Sequence, residues 1–81
     1  MKAKVYISLR TGILDPQAQA VHHALASLGF SPIHEVRTGK VIELHYQGVS
    51  KAEADQMTRQ ACDKLLANPV IENYEFVIVE E

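Results

Sequence analysis

The sequence predicts a single α+β domain over residues 1–81, in the element order β-α-β-β-α-β, with a four-stranded antiparallel sheet carrying both helices on one face. Three observations predict it. Strict apolar alternation occupies both ends of the chain, helical spacing follows the first and third strand patterns, and a Thr38-Gly39 pair lies mid-chain between Val36 and Val41-Ile42. Two split β-α-β units joined by a central hairpin make the ferredoxin-like arrangement.

The first strand runs from Ala3 to Arg10, with Ala3, Val5, Ile7 and Leu9 on one face and Lys4, Tyr6, Ser8 and Arg10 on the other. A loop through Thr11-Gly12-Ile13-Leu14 leads to Asp15-Pro16. There a carboxylate can cap free amides, and proline fits the first helical turn because no donor is needed from it. Val21, Ala24, Leu25 and Leu28 form the apolar stripe of the first helix, and Gly29 ends it in the left-handed conformation with Phe30 folding back.

Residues 33–37 are expected as the second strand, and Gly39 is expected to supply a positive φ at the central reversal. The third strand, Val41 to Tyr46, places Ile42, Leu44 and Tyr46 on the core face and Val41, Glu43 and His45 on the other. Ser50 and Glu53 have the spacing of a capping box and start the second helix, whose buried stripe is expected at Ala54, Met57, Ala61 and Leu65. Leu66 then projects away from that stripe, Cys62 lies at its boundary as a half-buried apolar residue, and Asn68-Pro69 stops the helix with Asn in a left-handed cap. Val70 to Val79 forms the last strand, with Tyr74, Phe76 and Ile78 on one side.

This layout leaves Tyr6, Val41, Val77 and Val79 on the sheet face that no helix covers. They are the expected dimer interface, since a small domain with apolar residues there tends to cover them with another subunit. A chain of this length buries only about 60–65% of its unfolded surface, so self-association would add to a thin core.

Composition excludes several function classes. Eight basic residues against ten acidic ones give a net charge of −2 and no bulk drive toward nucleic acid or anionic membrane. The open face also lacks the aromatic pair that reads single strands. One cysteine, Cys62, rules out an intrachain disulfide and a multi-cysteine metal site and fits a reducing cytosol. No apolar run reaches membrane-spanning length, so a cytoplasmic location is expected. His22 and His23 are adjacent in a helix and point about 100° apart, so they do not chelate one ion together, and no metal site is expected. Glu43 and His45 share a strand face, the geometry of a carboxylate orienting an imidazole base. No nucleophile or oxyanion donor stands beside them, so no catalytic residue is assigned.

The run Gly12-Ile13-Leu14-Asp15-Pro16, then Leu28-Gly29-Phe30, then Val36-Arg37-Thr38-Gly39-Lys40, then Lys64-Leu65-Leu66-Ala67-Asn68-Pro69-Val70-Ile71-Glu72 resembles the PurS family over nearly the whole chain. The resemblance implies a non-catalytic small subunit of phosphoribosylformylglycinamidine synthase, present as a homodimer or tetramer. It would bridge a glutaminase subunit and a large synthetase subunit and assist ammonia transfer. It also implies that ATP and glutamine are used by the complex and that this subunit binds no cofactor of its own. Arg37, Gly39 and Lys40 at the central turn, with Asn68 and Pro69 at the exit of the second helix, are the expected partner contacts. Two other readings share the strand and helix order. One is an ACT-like regulatory module that binds a small molecule, and the other is a small dimeric enzyme using Glu43 and His45.

Overall fold

A computed structural model describes residues 1–80 and forms a three-stranded antiparallel sheet in the order β2-β1-β3. The strands are β1 (Lys2–Leu9), β2 (Gly39–His45) and β3 (Glu72–Val79), and the helices are α1 (Pro16–Ser27) and α2 (Lys51–Ala61). Val5 of β1 faces Ile42 on one side and Phe76 on the other, which carries the apolar faces of all three strands into one layer. The α+β class and the side-chain faces of these strands are as the alternation predicts.

The fourth strand is absent among the described residues. Residues 33–37 form no ladder, so the order is β-α-β-α-β and the ferredoxin-like hairpin does not occur. The local sequence accounts for this. Ile33 and Val36, the two apolar residues of the segment, are three apart and would point to opposite faces of a strand. The segment is instead bonded toward α1: the Ile33 amide donates to the Phe30 carbonyl at 3.1 Å, and a His22 ring nitrogen meets the Ile33 carbonyl at 2.8 Å.

Both helix starts form as their residues dictate. The Ala18 amide donates to Asp15 Oδ1 at 3.1 Å. At the second start, the Glu53 amide donates to Ser50 Oγ at 3.1 Å and the Ser50 amide to Glu53 Oε1 at 3.0 Å, a complete capping box. Gly29 has φ of 97°, and the Phe30 amide returns to the Leu25 carbonyl at 3.0 Å, which closes α1 in the left-handed cap that the sequence predicts.

Beyond their starts the helices differ. α2 lies on β1 and β3 through small residues at four-residue spacing, Ala54, Thr58 and Cys62, all fully buried. Ala54 is buried as expected, but beyond it the stripe is displaced by one position: Met57 is 39% exposed and Ala61 half-buried. At Cys62–Leu66 the helix widens into a π turn closed by the Ala67 amide on the Cys62 carbonyl at 3.1 Å. The extra residue in that turn rotates Leu66 into the core and turns Leu65 out to 82% exposure, the reverse of the expected pair. Cys62, expected half-buried, is wholly enclosed.

By contrast, α1 makes no extended contact with the sheet or with α2, so the two helices do not cover one face together. Ala18 is its only buried residue, and Val21, Ala24 and Leu28 of the expected stripe are exposed. The molecule is correspondingly long and thin, 50 × 29 × 14 Å.

Candidate functional site

The end of β1 gathers the turn residues singled out from the sequence. Arg10 Nη2 donates to the Pro69 carbonyl at 2.9 Å, and the Arg10 amide donates to the Ile71 carbonyl at 2.7 Å. Its neighbour Leu9 offers its carbonyl to Arg37 Nη2 at 3.3 Å. Arg37 and Pro69, far apart in sequence, are thus tied to adjacent residues, the last of β1 and the one that follows it. Between the β1–α1 loop and residues 35–38 lies an open groove of about 400 Å³, into which Arg10, Asp15 and Arg37 face.

The groove is held shut at one side by Thr38 Oγ1, which donates to Asp15 Oδ2 at 2.5 Å. That hydroxyl, followed by the Ala18 amide, holds the Asp15 carboxyl below its usual range. Asp15 therefore does two jobs, capping α1 and fixing the segment that leads into β2. Sequence reasoning found the first and missed the second, because nothing local pairs positions 15 and 38.

Gly39 lies in β2 opposite Ser8 and does not have a positive φ, contrary to expectation. A Cβ there would stand 2.5 Å from the Ile7 carbonyl oxygen, so glycine is required by close approach of two backbones. Asn68 likewise has no left-handed conformation. Its Oδ1 accepts from the Val70 amide at 3.0 Å, and its own amide donates to Glu72 Oε1 at 2.7 Å, an Asx turn that starts β3. Gly39 is explained by the close approach of β1 and Asn68 by its turn, whereas Arg37, Lys40 and Pro69 present exposed surface.

Tyr6, Val41, Val77 and Val79 share the open sheet face, with Val41 at 57% and Val77 at 50% exposure. Charged groups surround them. Glu43 stands 3.6 Å from Lys2 Nζ and 3.3 Å from His45 Nε2, and Lys2 is the main cause of its lowered pKa, ahead of His45. The carboxylate is thus engaged by an ammonium first, in the open, without a neighbouring nucleophile. This is the environment of a solvated or interfacial face.

The contact of α2 with the sheet has one buried polar residue, Thr58, and further polar groups at its edge. Tyr46 and Thr58 bond through their hydroxyls at 2.7 Å. The Tyr74 hydroxyl donates to Asp63 at 2.8 Å, which raises the phenol's pKa, and Arg59 lies 5.3 Å from the centre of the Phe76 ring. Desolvation pushes the Cys62 thiol up, so it is a packing group and a poor nucleophile. Among the described residues no helix is long and apolar enough to cross a membrane, and no three histidine, cysteine or carboxylate side chains gather as metal ligands.

Comparison with known proteins matches residues 2–80 to the family model PurS, described as phosphoribosylformylglycinamidine (FGAM) synthase. The chain is 44% identical over 79 residues to the phosphoribosylformylglycinamidine synthase subunit PurS of Bacillus subtilis, covering 98% of this chain and 93% of that one. It superposes on PurS of Methanocaldococcus jannaschii, described as one of the subunits of formylglycinamide ribonucleotide amidotransferase in the purine biosynthetic pathway. That match has a TM-score of 0.87 at 36% identity and covers 99% and 96% of the two chains. A chain in the structure of PurLQS from Thermotoga maritima matches with a TM-score of 0.86 at 29% identity, over 96% and 95%.

Proposed function

The chain belongs to the PurS family of phosphoribosylformylglycinamidine synthase subunits, and from that membership we propose that it is the small subunit of this enzyme in purine biosynthesis. The observation that carries the proposal is the match over residues 2–80, nearly the whole chain. The subunit bridges a glutaminase and a large synthetase subunit, which use glutamine and ATP, and assists the passage of ammonia between them. Its contribution is positional: ammonia that escapes into water is protonated and lost as a nucleophile, so holding two active sites in register is itself catalytic assistance.

The partner contacts proposed are Arg37 and Lys40 beside β2 and Pro69 at the exit of α2, with Gly39 and Asn68 shaping the backbone that presents them. The exposed patch Tyr6, Val41, Val77 and Val79 is proposed as a contact between copies of the subunit on the open sheet face.

The test is amidine synthesis by the matching large and glutaminase subunits, with and without this chain, using glutamine or ammonia as nitrogen donor. The glutamine-dependent rate should require the chain and the ammonia-dependent rate should not. Charge reversal at Arg37 and Lys40 should weaken assembly of the folded variant with the other subunits. Unchanged rates in the absence of the chain would remove the bridging role, and normal assembly of the reversed variant would remove the contact assignment.

A further inference from the structure

We infer that Arg10 is the positioning residue of a partner surface at the exit of α2. It fixes the turn after that helix against β1, so that Leu65 and Val70 stand out as paired anchors for an apolar cleft on another subunit of the synthase. The inference rests on the reading of this chain as the small subunit. The anchors are the most exposed large apolar side chains among the described residues, Leu65 at 82% and Val70 at 77%. Leu65 points outward because of the π turn at Cys62–Leu66, and single π turns of this kind occur frequently at functional sites. Isolated apolar residues on a surface are ordinary, whereas two of them on either side of one fixed turn make a docking feature.

The turn is set before any partner arrives. Asn68 Oδ1 accepts from the Val70 amide, the Asn68 carbonyl accepts from the amides of Ile71 at 3.3 Å and Glu72 at 2.8 Å, and Glu72 Oε1 accepts from the Asn68 amide. These bonds close within residues 68–72, so they give the turn its shape and leave open where it stands. Arg10 settles that from 59 residues earlier, with its amide on the Ile71 carbonyl and its guanidinium on the Pro69 carbonyl, which lies in the chain between the two anchors. A surface already held in its bound shape loses little freedom on association.

The end of β1 also relates the anchors to the contacts proposed for the other subunits. The Leu9 carbonyl holds Arg37, and Arg10 holds Pro69, so Leu65 and Val70 extend that surface. Tyr6, Val41, Val77 and Val79, proposed for contact between copies, lie on the uncovered sheet face, whereas the anchors follow the helix that covers the opposite one. Two aliphatic side chains fit an apolar cleft. The exposed Lys64 beside Leu65 and Arg10 on Pro69 suit carboxylates at its rim, because the neighbouring acids are engaged within the chain, Asp63 by the Tyr74 hydroxyl and Glu72 by the Asn68 amide.

The test titrates the chain into the matching large and glutaminase subunits and follows glutamine-dependent amidine synthesis. Arg10→Ala and, separately, Leu65→Ser/Val70→Ser should each raise the chain concentration that gives half the maximal rate by about tenfold, with the wild-type rate approached at saturation. Arg10→Lys should recover most of the affinity, because an ammonium still donates to one carbonyl. Arg10→Ala added to the double variant should raise the half-saturating concentration little further, since the position of the turn matters only while the anchors are present. Leu65 and Val70 are surface residues, so the double variant keeps its core, and its mass in sedimentation should equal that of the wild type. An unshifted double variant, full additivity or a failed Lys rescue would overturn the inference, as would a fall in mass, which would make the turn a contact between copies. A wild-type chain without effect on the glutamine-dependent rate would instead remove the small-subunit reading itself.

Discussion

The two helices of this chain are nearly the same length and start with equally well-formed caps, yet one builds the core and the other leaves it. α2 brings Ala54, Thr58 and Cys62 against β1 and β3 with no exposure, while α1 holds larger apolar residues, Val21 and Leu28, in the open. Small side chains let α2 approach its own sheet closely, and the charges on its other faces suit water. α1 has small residues as well, Ala18, Ala20, Ala24 and Ala26, but carries no Asp, Glu, Lys or Arg on any face. A helix can therefore be well capped and apolar and still leave most of its apolar side chains outside the core of its own chain. Capping decides where a helix begins, and side-chain size and charge decide what it packs on.

The sharpest way to break this contrast is to weaken each region in turn. Ile7 is 2% exposed beneath α2, and Ile7→Ala should cost about 2–5 kcal/mol through the lost transfer energy and the cavity left behind. Urea unfolding should show a lower midpoint with an unchanged slope at every protein concentration. Leu28→Ala, at a side chain 73% exposed just past the end of α1, should move the midpoint by no more than the equivalent of about 0.5 kcal/mol. Equal effects at the two sites would show that the end of α1 belongs to the same core as Ile7.

The next effect is smaller and concerns the one polar residue in the α2 contact. Thr58 is fully buried, and its hydroxyl meets that of Tyr46. Thr58→Val leaves the Tyr46 hydroxyl without this partner and should cost about 1–3 kcal/mol, whereas adding Tyr46→Phe should recover much of that loss. Thermal unfolding of the two single variants and the double variant gives the coupling directly. If the costs simply add, the bond contributes nothing beyond packing and the α2 seam is held by shape alone.

Residues whose partners lie close in sequence were legible: the Ser50–Glu53 box, the Asp15 cap, the Gly29 stop and the alternating faces of three strands all follow from local rules. Three features were not. The absent strand at 33–37 depends on the pull of His22 and Phe30, which outweighs a pattern too short to fix a register. The π turn at Cys62–Leu66 rotates Leu65 and Leu66 by inserting one residue into a helix whose composition gives no sign of it. Gly39 was read as a turn glycine because a close approach to Ile7 becomes visible only when β1 and β2 are paired. The turns proposed to meet partners were found as motifs, but their convergence on Leu9 and Arg10 is a tertiary fact.

The smallest predicted effect concerns the start of α1 and depends on pH. Asp15 bonds to Thr38 and to the Ala18 amide, which holds its folded pKa below the value of about 3.9 expected in the unfolded chain. A carboxyl with a depressed folded pKa contributes stability that is complete above the unfolded pKa and is lost as pH falls through the folded one. Asn also caps helices well, so Asp15→Asn keeps the geometry at α1 while removing the titration. The variant should be slightly less stable than the wild type at pH 7, and the difference should shrink below about pH 4 and vanish once Asp15 is protonated. Thermal unfolding from pH 7 to pH 2 measures this, with the Ala18 amide resonance reporting the local bond. Glu53 at the start of α2 has its pKa lowered in the same direction by the Ser50 amide and then the Ser50 hydroxyl, so both helix starts loosen in acid. They differ in what is released. Loss of the Glu53 bond frees only its own cap, whereas loss of the Asp15 bond also frees Thr38 and so the segment that leads into β2. A stability difference that stayed constant across the titration would mean that Asp15 acts through shape, and that residues 33–38 are held by His22 and Arg37 instead.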